Sequence, residues 1–208
     1  VKEGINYNPE DPNYDLFKLA MRVSAKRLFP NFSFMDAPFN AQYYKEGHPE
    51  TETTYMGCRT RVMGNVNGPE IATGRGNNSF TTINLPRLGI KHGMLTTGTF
   101  NETAFFNELD EKIEVVVQQL LERMEIQGKR KVKNFPFLMG QGVWIGSDKL
   151  GWEDTLEEVV KQGTLTIGFI GLAECLKALI GEHHGESEKA QQLGLKIVSH
   201  MRQRCDEA

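Results

Sequence analysis

Apolar and polar positions along the chain alternate between two periods. From Glu102 to about Gln127, Phe105, Leu109, Ile113, Val116, Val117, Leu120, Leu121 and Met124 recur three or four residues apart. That spacing places them on one face and predicts a long amphipathic helix. Asn101 is its expected N-cap and Gly128 its stop. A shorter helical period carries Leu16, Leu19, Ala20 and Val23 and predicts a helix from Tyr14 to about Arg27. Leu172–Ile180 and Ser187–Arg204 predict two more helices, and Trp152–Lys161 a short one. Strands are expected where the period shortens or the run turns continuously apolar: Asn31–Asp36, Phe80–Leu85 closed by Pro86, Phe135–Met139, and Thr164–Ile170. Residues 37–53 carry no regular pattern. Strands alternating with long helices predict α/β architecture.

Composition narrows the class. The 208 residues are 39% hydrophobic and 25% charged, with a net charge of -3. This is an ordinary globular balance, long enough for a sizeable core. No basic field invites nucleic acid, and no apolar run reaches the length that spans a bilayer. The start, Val1-Lys2-Glu3-Gly4, lacks the apolar region of a signal peptide. A cytoplasmic protein is expected. Cys58, Cys175 and Cys205 are widely spaced, with no Cys-x-x-Cys pair, which fits a reducing compartment. The chain opens without methionine and ends directly after a helical pattern, so it reads as a piece of a longer protein.

Cys58, in Tyr55-Met56-Gly57-Cys58-Arg59-Thr60-Arg61, is the foremost chemical feature. Gly57 allows a tight turn or a close approach beside the thiol, while Arg59 and Arg61 add positive charge. A lone cysteine is also a small buried hydrophobe, and from these residues both readings stand. A thiolate nucleophile would want a histidine base, and His48 is the nearest in sequence. Gly74-Arg75-Gly76-Asn77-Asn78-Ser79 is either part of a phosphate-cradling loop or a tight turn leading into a strand, and lacks the P-loop ending. Thr164–Glu174 reads as strand, turn and helix; Gly168 and Gly171 serve either an anion site at the helix start or close packing. Glu182, His183, His184 and Glu186 suggest a metal site, but adjacent imidazoles on a helix diverge, so a solvated helix end is expected and no metal is assigned. Lys129, Arg130, Lys131 and Lys133 complement the C-terminus of the long helix.

Taken together, Tyr55-Met56-Gly57-Cys58-Arg59-Thr60, Gly74-Arg75-Gly76-Asn77, Asn84-Leu85-Pro86-Arg87 and Ile167-Gly168-Phe169-Ile170-Gly171-Leu172 resemble the anaerobic (class III) ribonucleoside-triphosphate reductases. The resemblance covers essentially the whole chain, as one partial catalytic barrel domain over residues 1–208. It implies part of a ten-stranded α/β barrel with a central finger loop. It implies that Cys58 becomes a thiyl radical that takes hydrogen from the ribose C3′, with Met56 beside it and Asn77 bonding near the substrate hydroxyls. Asn78, the alternative if that turn aligns one residue later, and Arg59 are the implied substrate-binding residues. The implied substrates are ribonucleoside triphosphates, with formate as co-substrate and reductant. A glycyl radical, a zinc site, a second active-site cysteine and an allosteric nucleotide domain are expected in parts outside this chain. So are a radical S-adenosylmethionine activating enzyme as partner and a homodimer at full length. The fragment alone is expected to be inactive. Another glycyl-radical enzyme and a non-catalytic nucleotide-binding module are the alternatives.

Overall fold

The computed structural model describes residues 1–56, Met56 by its backbone alone, and residues 60–208. In chain order its regular elements are α1 (Tyr14–Arg27), α2 (Pro38–Ala41), β1 (Tyr55–Met56), β2 (Thr60–Arg61), β3 (Asn77–Asn84), α3 (Leu85–His92), α4 (Met94–Thr97), α5 (Glu102–Gly128), α6 (Glu157–Val160), β4 (Thr164–Ile170), α7 (Leu172–Ile180) and α8 (Glu188–Glu207). β1 and β2 pair antiparallel. β3 and β4 are neighbours in a small parallel sheet. The Thr164 amide donates to the Gly76 carbonyl at one end, and Gly168 meets Thr81 and Thr82 further along both strands. The fold is thus α/β, as the alternation of periods predicts. Among the described residues each sheet has two strands. The chain divides into two compact units, one of residues 1–77 and 130–164, the other of residues 78–129 and 165–208.

The second unit is built around an apolar core. The Asn101 side chain accepts from the Ala104 amide at 3.1 Å and starts α5. Phe105, Leu109, Ile113, Val116 and Leu120 then bury one stripe of that helix. They join Leu176 and Leu179 of α7, and Ile197 and Met201 of α8. Each fully buried side chain of this size contributes about 1.5–3 kcal/mol through the apolar area removed from water. Helix α3 lies against α7 almost backbone to backbone. A Cβ on Gly89 would stand 2.8 Å from the Cys175 carbonyl oxygen, so only glycine fits.

The first unit has a smaller apolar cluster of Val132, Met139, Trp144, Leu156 and Val159. The Trp144 indole donates to the Val159 carbonyl at 2.7 Å, which satisfies its one polar atom. Much of this unit is irregular backbone tied by polar side chains.

Several sequence expectations hold closely: α1, α5, α7 and β4 fall where the periods place them, and Ser187 caps α8. Others need correction. Asn31–Asp36 is not a strand. The Phe34 carbonyl accepts from the Asn40 side chain and the Ala37 amide, which turns the chain into α2. Phe135–Met139 is a succession of turns in which the Met139 and Gly140 amides both donate to the Phe135 carbonyl. Phe137 is 66% exposed there, so its apolar character does not mark a buried strand. The helix expected from Trp152 shrinks to α6, because residues 152–156 pair with 130–133. Val132 donates to Asp154, Lys133 to Trp152 and Leu156 to Arg130. β3 begins at Asn77 rather than Phe80 and ends just before Pro86, which sits in the first turn of α3, where its missing N–H costs nothing. Gly128 lies inside α5 and is buried; Lys129 takes the cap position.

Candidate active site

The β1–β2 pair frames the Cys58 segment. Its register matches Tyr55 with Arg61 and Met56 with Thr60, and the Val62 amide extends the ladder to the Thr54 carbonyl at 3.3 Å. Residues 57–59, which include Cys58 and Arg59, lie outside the described residues, as does the Met56 side chain.

Two side chains tie this pair to the preceding turn. Asn40 is 1% exposed. Its Nδ2 donates to the Phe34 carbonyl at 2.8 Å, and its Oδ1 accepts from the Tyr55 hydroxyl and from Arg61 Nη1, each at 3.3 Å. Arg61 also donates to the Phe39 carbonyl. Its guanidinium carbon lies 5.6 Å from the Phe39 ring centroid and 5.4 Å from that of Tyr43. Arg61 thus stacks on aromatic faces while bonding. The sequence suggested only that Arg61 brings positive charge near the thiol; its charge is spent on this turn.

Arg75 decides between the two readings of the 74–79 segment. Its side chain is buried at 8% exposure. Nε donates to the Gln162 carbonyl at 2.7 Å. Nη1 donates to the Met63 and Ile71 carbonyls, both at 2.8 Å, and Nη2 to the Gly64 carbonyl at 2.9 Å. Burial lowers its pKa, though a guanidinium stays charged. All these donors face backbone, so Arg75 organises residues 63–76 and is not a phosphate ligand. Gln162 extends the same network. Its Oε1 accepts from Asn65 at 2.8 Å and its Nε2 donates to the Asn67 carbonyl at 2.9 Å. Sequence reasoning missed this role, because Gln162 lies 87 residues from Arg75 and no local spacing announces the contact.

Asn77 and Asn78 open β3, both half-buried. The Asn78 carbonyl accepts from Gln127 Nε2 at 3.2 Å. The two asparagines follow Gly76, whose carbonyl receives the Thr164 amide, so their backbone begins in a fixed place.

The other two motifs are neighbours. Asn84 Oδ1 accepts from the Arg87 amide at 3.2 Å, so Asn84-Leu85-Pro86-Arg87 is the capped junction of β3 and α3. Gly171 joins β4 to α7 at a φ of +74°, and a Cβ there would overlap the Pro86 ring. The two strand-to-helix turns therefore lie side by side, and their residue types follow from that closeness. Gly171 serves packing, the second of the two readings, while a Cβ at Gly168 would make only ordinary contact with Thr82 and Thr81.

The remaining thiols and histidines have local roles. Cys175 is fully buried in the core of the second unit, and burial pushes its thiol up to about 12. Cys205 is exposed near the end of α8. His48 pairs with Glu50 at 3.0 Å on the surface. His183 Nδ1 accepts from the Gly185 amide at 3.0 Å and its ring faces Glu186; the segment lies between α7 and α8. Among the described residues no group of three or more His, Cys, Asp or Glu could hold a metal ion. Among them also, no helix is long and apolar enough to cross a membrane.

Comparison with known proteins adds what the geometry alone leaves open. The family model described as anaerobic ribonucleoside-triphosphate reductase matches residues 1–208. A protein of Salmonella typhimurium named anaerobic ribonucleoside-triphosphate reductase is 31% identical over 212 aligned positions, covering 100% of this chain and 28% of that protein. Proteins of the same name from Escherichia coli (strain K12) and Enterobacteria phage T4 are 29% and 30% identical, and the chain covers 28% and 32% of them. The chain thus spans less than a third of the length of these relatives. With its full length matched, the chain belongs to the anaerobic ribonucleoside-triphosphate reductase family.

Proposed function

We propose that this chain is part of the catalytic barrel of an enzyme that reduces ribonucleoside triphosphates to deoxyribonucleoside triphosphates. In this reading the strands described belong to a ten-stranded α/β barrel, and the segment joining β1 to β2 is its finger loop. Cys58 works as a thiyl radical. Its sulfur takes the hydrogen atom from the ribose C3′: the C3′–H bond breaks, an S–H bond forms, and the unpaired electron passes to C3′. A glycyl radical, carried by a segment outside these residues, supplies the oxidising equivalent. Formate is the reductant. Its two electrons pass to the ribose as formate is oxidised to carbon dioxide, and the 2′-hydroxyl departs as water. Asn77 holds the substrate hydroxyls by hydrogen bonds, with Asn78 and Arg59 as further substrate-binding groups and Met56 beside the thiol. The whole protein works as a cytoplasmic homodimer, is charged by a radical S-adenosylmethionine activating enzyme, and carries its zinc site and allosteric nucleotide elsewhere.

The observation that carries this reading is the β1–β2 register. Met56 pairs with Thr60, which leaves Gly57-Cys58-Arg59 as a connection anchored at both ends. A hydrogen-abstracting sulfur must meet one carbon atom, so placement matters more than a lowered thiol pKa. That no histidine base lies near Cys58 in sequence is no objection to this reading, since a radical needs no thiolate. The match along the whole chain disfavours another glycyl-radical enzyme.

The test uses the full-length protein. Cys58→Ser is expected to abolish deoxynucleotide formation while the glycyl radical still develops in the electron paramagnetic resonance spectrum. Reduction retained at the wild-type rate would remove Cys58 from the chemistry. The fragment by itself is expected to give no product.

A further inference from the structure

We propose that Asn40 is a positioning residue for the Cys58 segment, tying both strands of the β1–β2 pair to the 34–43 turn. This rests on the proposed role of Cys58 as the hydrogen-abstracting group. The paired stretches are two residues long each. A ladder that short does not hold its own register in water, because an isolated two-stranded hairpin is marginal even when longer. Something outside the ladder must set where the connection begins.

Asn40 has the geometry for that task. The two residues it grips through Oδ1, Tyr55 and Arg61, are cross-strand partners in the register. One acceptor atom therefore fixes both sides of the pair at the same level. Its Nδ2 bond to the Phe34 carbonyl orients the amide, so Oδ1 faces the strands. The group is 1% exposed, where water does not compete for these bonds. Arg61 adds a second hold through the Phe39 carbonyl and the Phe39 and Tyr43 rings. The turn at 34–43 and the pair are thus tied to each other, and in this proposal that tie sets where the connection carrying Cys58 begins and ends. A shift of about 1 Å in a reacting atom costs on the order of 100-fold in rate.

The experiment compares Asn40→Leu, Tyr55→Phe and Cys58→Ser in the full-length, activated protein. It reads turnover per glycyl radical, KM for the ribonucleotide, and radical content. Asn40→Leu keeps the branching of the side chain and removes its polar atoms. It is expected to lower kcat per radical about 100-fold, with KM and radical content close to wild type. Tyr55→Phe removes one hydroxyl on an otherwise intact ring and is expected to lower kcat per radical several-fold in the same way. A merely structural Asn40 would reduce folded protein and radical content while leaving kcat per radical intact, and that result overturns the proposal. Should Asn40→Leu fail to fold, Tyr55→Phe decides: an unchanged kcat per radical overturns the proposal, and a several-fold loss supports it. An inactive Cys58→Ser beside a fully active Asn40→Leu would sink this inference alone. An active Cys58→Ser would sink the reading of Cys58 itself.

Discussion

The two units of this chain are held together by different physics. In residues 78–129 and 165–208, stability comes from an apolar stripe on α5 buried against α7 and α8. In residues 1–77 and 130–164, a smaller apolar cluster is accompanied by backbone of little regular structure held by a few polar side chains, above all Arg75 and Asn40. A stripe of many similar contacts degrades gradually and allows one core residue to replace another. A single buried guanidinium with four carbonyl partners has no substitute, because removing it leaves four acceptors without donors at once. The unit that holds the Cys58 segment is the polar one. That suits the role proposed for Cys58, whose placement would have to be specified atom by atom, since hydrogen bonds are directional and apolar contacts are not.

Mutations can break this contrast. The largest effect is expected from Phe105→Ala, which empties the centre of the second unit, where Phe105 packs on Phe100 and Phe106 at 6.1 and 5.3 Å. The loss should be about 3–5 kcal/mol, read as a lower denaturation midpoint in the full-length protein, with faster hydrogen exchange along α5 and α7. Arg75→Met keeps the length and apolar stem but no donor. It is expected to cost about 3 kcal/mol. Hydrogen exchange should speed up at residues 62–76 while α5 remains protected. Equal exchange changes in both units from either variant would erase the distinction. Arg75→Lys should fare little better, because an ammonium cannot reproduce the planar fork that reaches four carbonyls.

The contrast also explains what the sequence disclosed. Phe105, Leu109 and Ile113 repeat at helical spacing, so α5 was legible together with its buried face and its Asn101 cap. β4 and α7 were legible to the residue, because a compact apolar run breaks at Gly171 and resumes with a new period. Helix α3 was not. Eight residues containing Pro86 and Gly89 have weak intrinsic propensity, and the helix exists because it lies on α7. The Phe135–Met139 run misled for the opposite reason: its apolar residues are real, but Pro136 and the double donation to the Phe135 carbonyl make turns. At the site, the motifs were visible, while the roles of Arg75, Asn40 and Gln162 were not. Their partners are carbonyls and side chains up to 97 residues away, and such contacts leave no periodic trace. Cys58 and Arg59 remain readings from sequence, flanked by the described β1–β2 frame.

A smaller test concerns charge. Lys91 and then His92 hold the Glu108 carboxyl below its ordinary range, at 2.6 Å each. On the first unit, Lys133 and Lys131 hold exposed Glu153 down to about 2. A carboxylate with a lowered folded pKa stabilises above its unfolded pKa, and that contribution fades as the pH falls through the folded value. The gap in midpoint between wild type and Glu108→Gln should therefore be present at neutral pH and close in acid. Glu153→Gln should open a narrower gap, because water screens an exposed pair. A Glu108 gap that widened in acid would contradict that sign.

The most direct measurement follows the hydrogen assigned to Cys58. A ribonucleoside triphosphate carrying tritium at C3′ would be given to the activated full-length protein and to its Cys58→Ser variant. Transfer to sulfur makes the tritium part of a thiol, whose hydrogen exchanges with water. Wild-type protein is predicted to release tritium into solvent during turnover, and the variant to release none. Equal release from both, or product formed by the variant, would contradict the assignment.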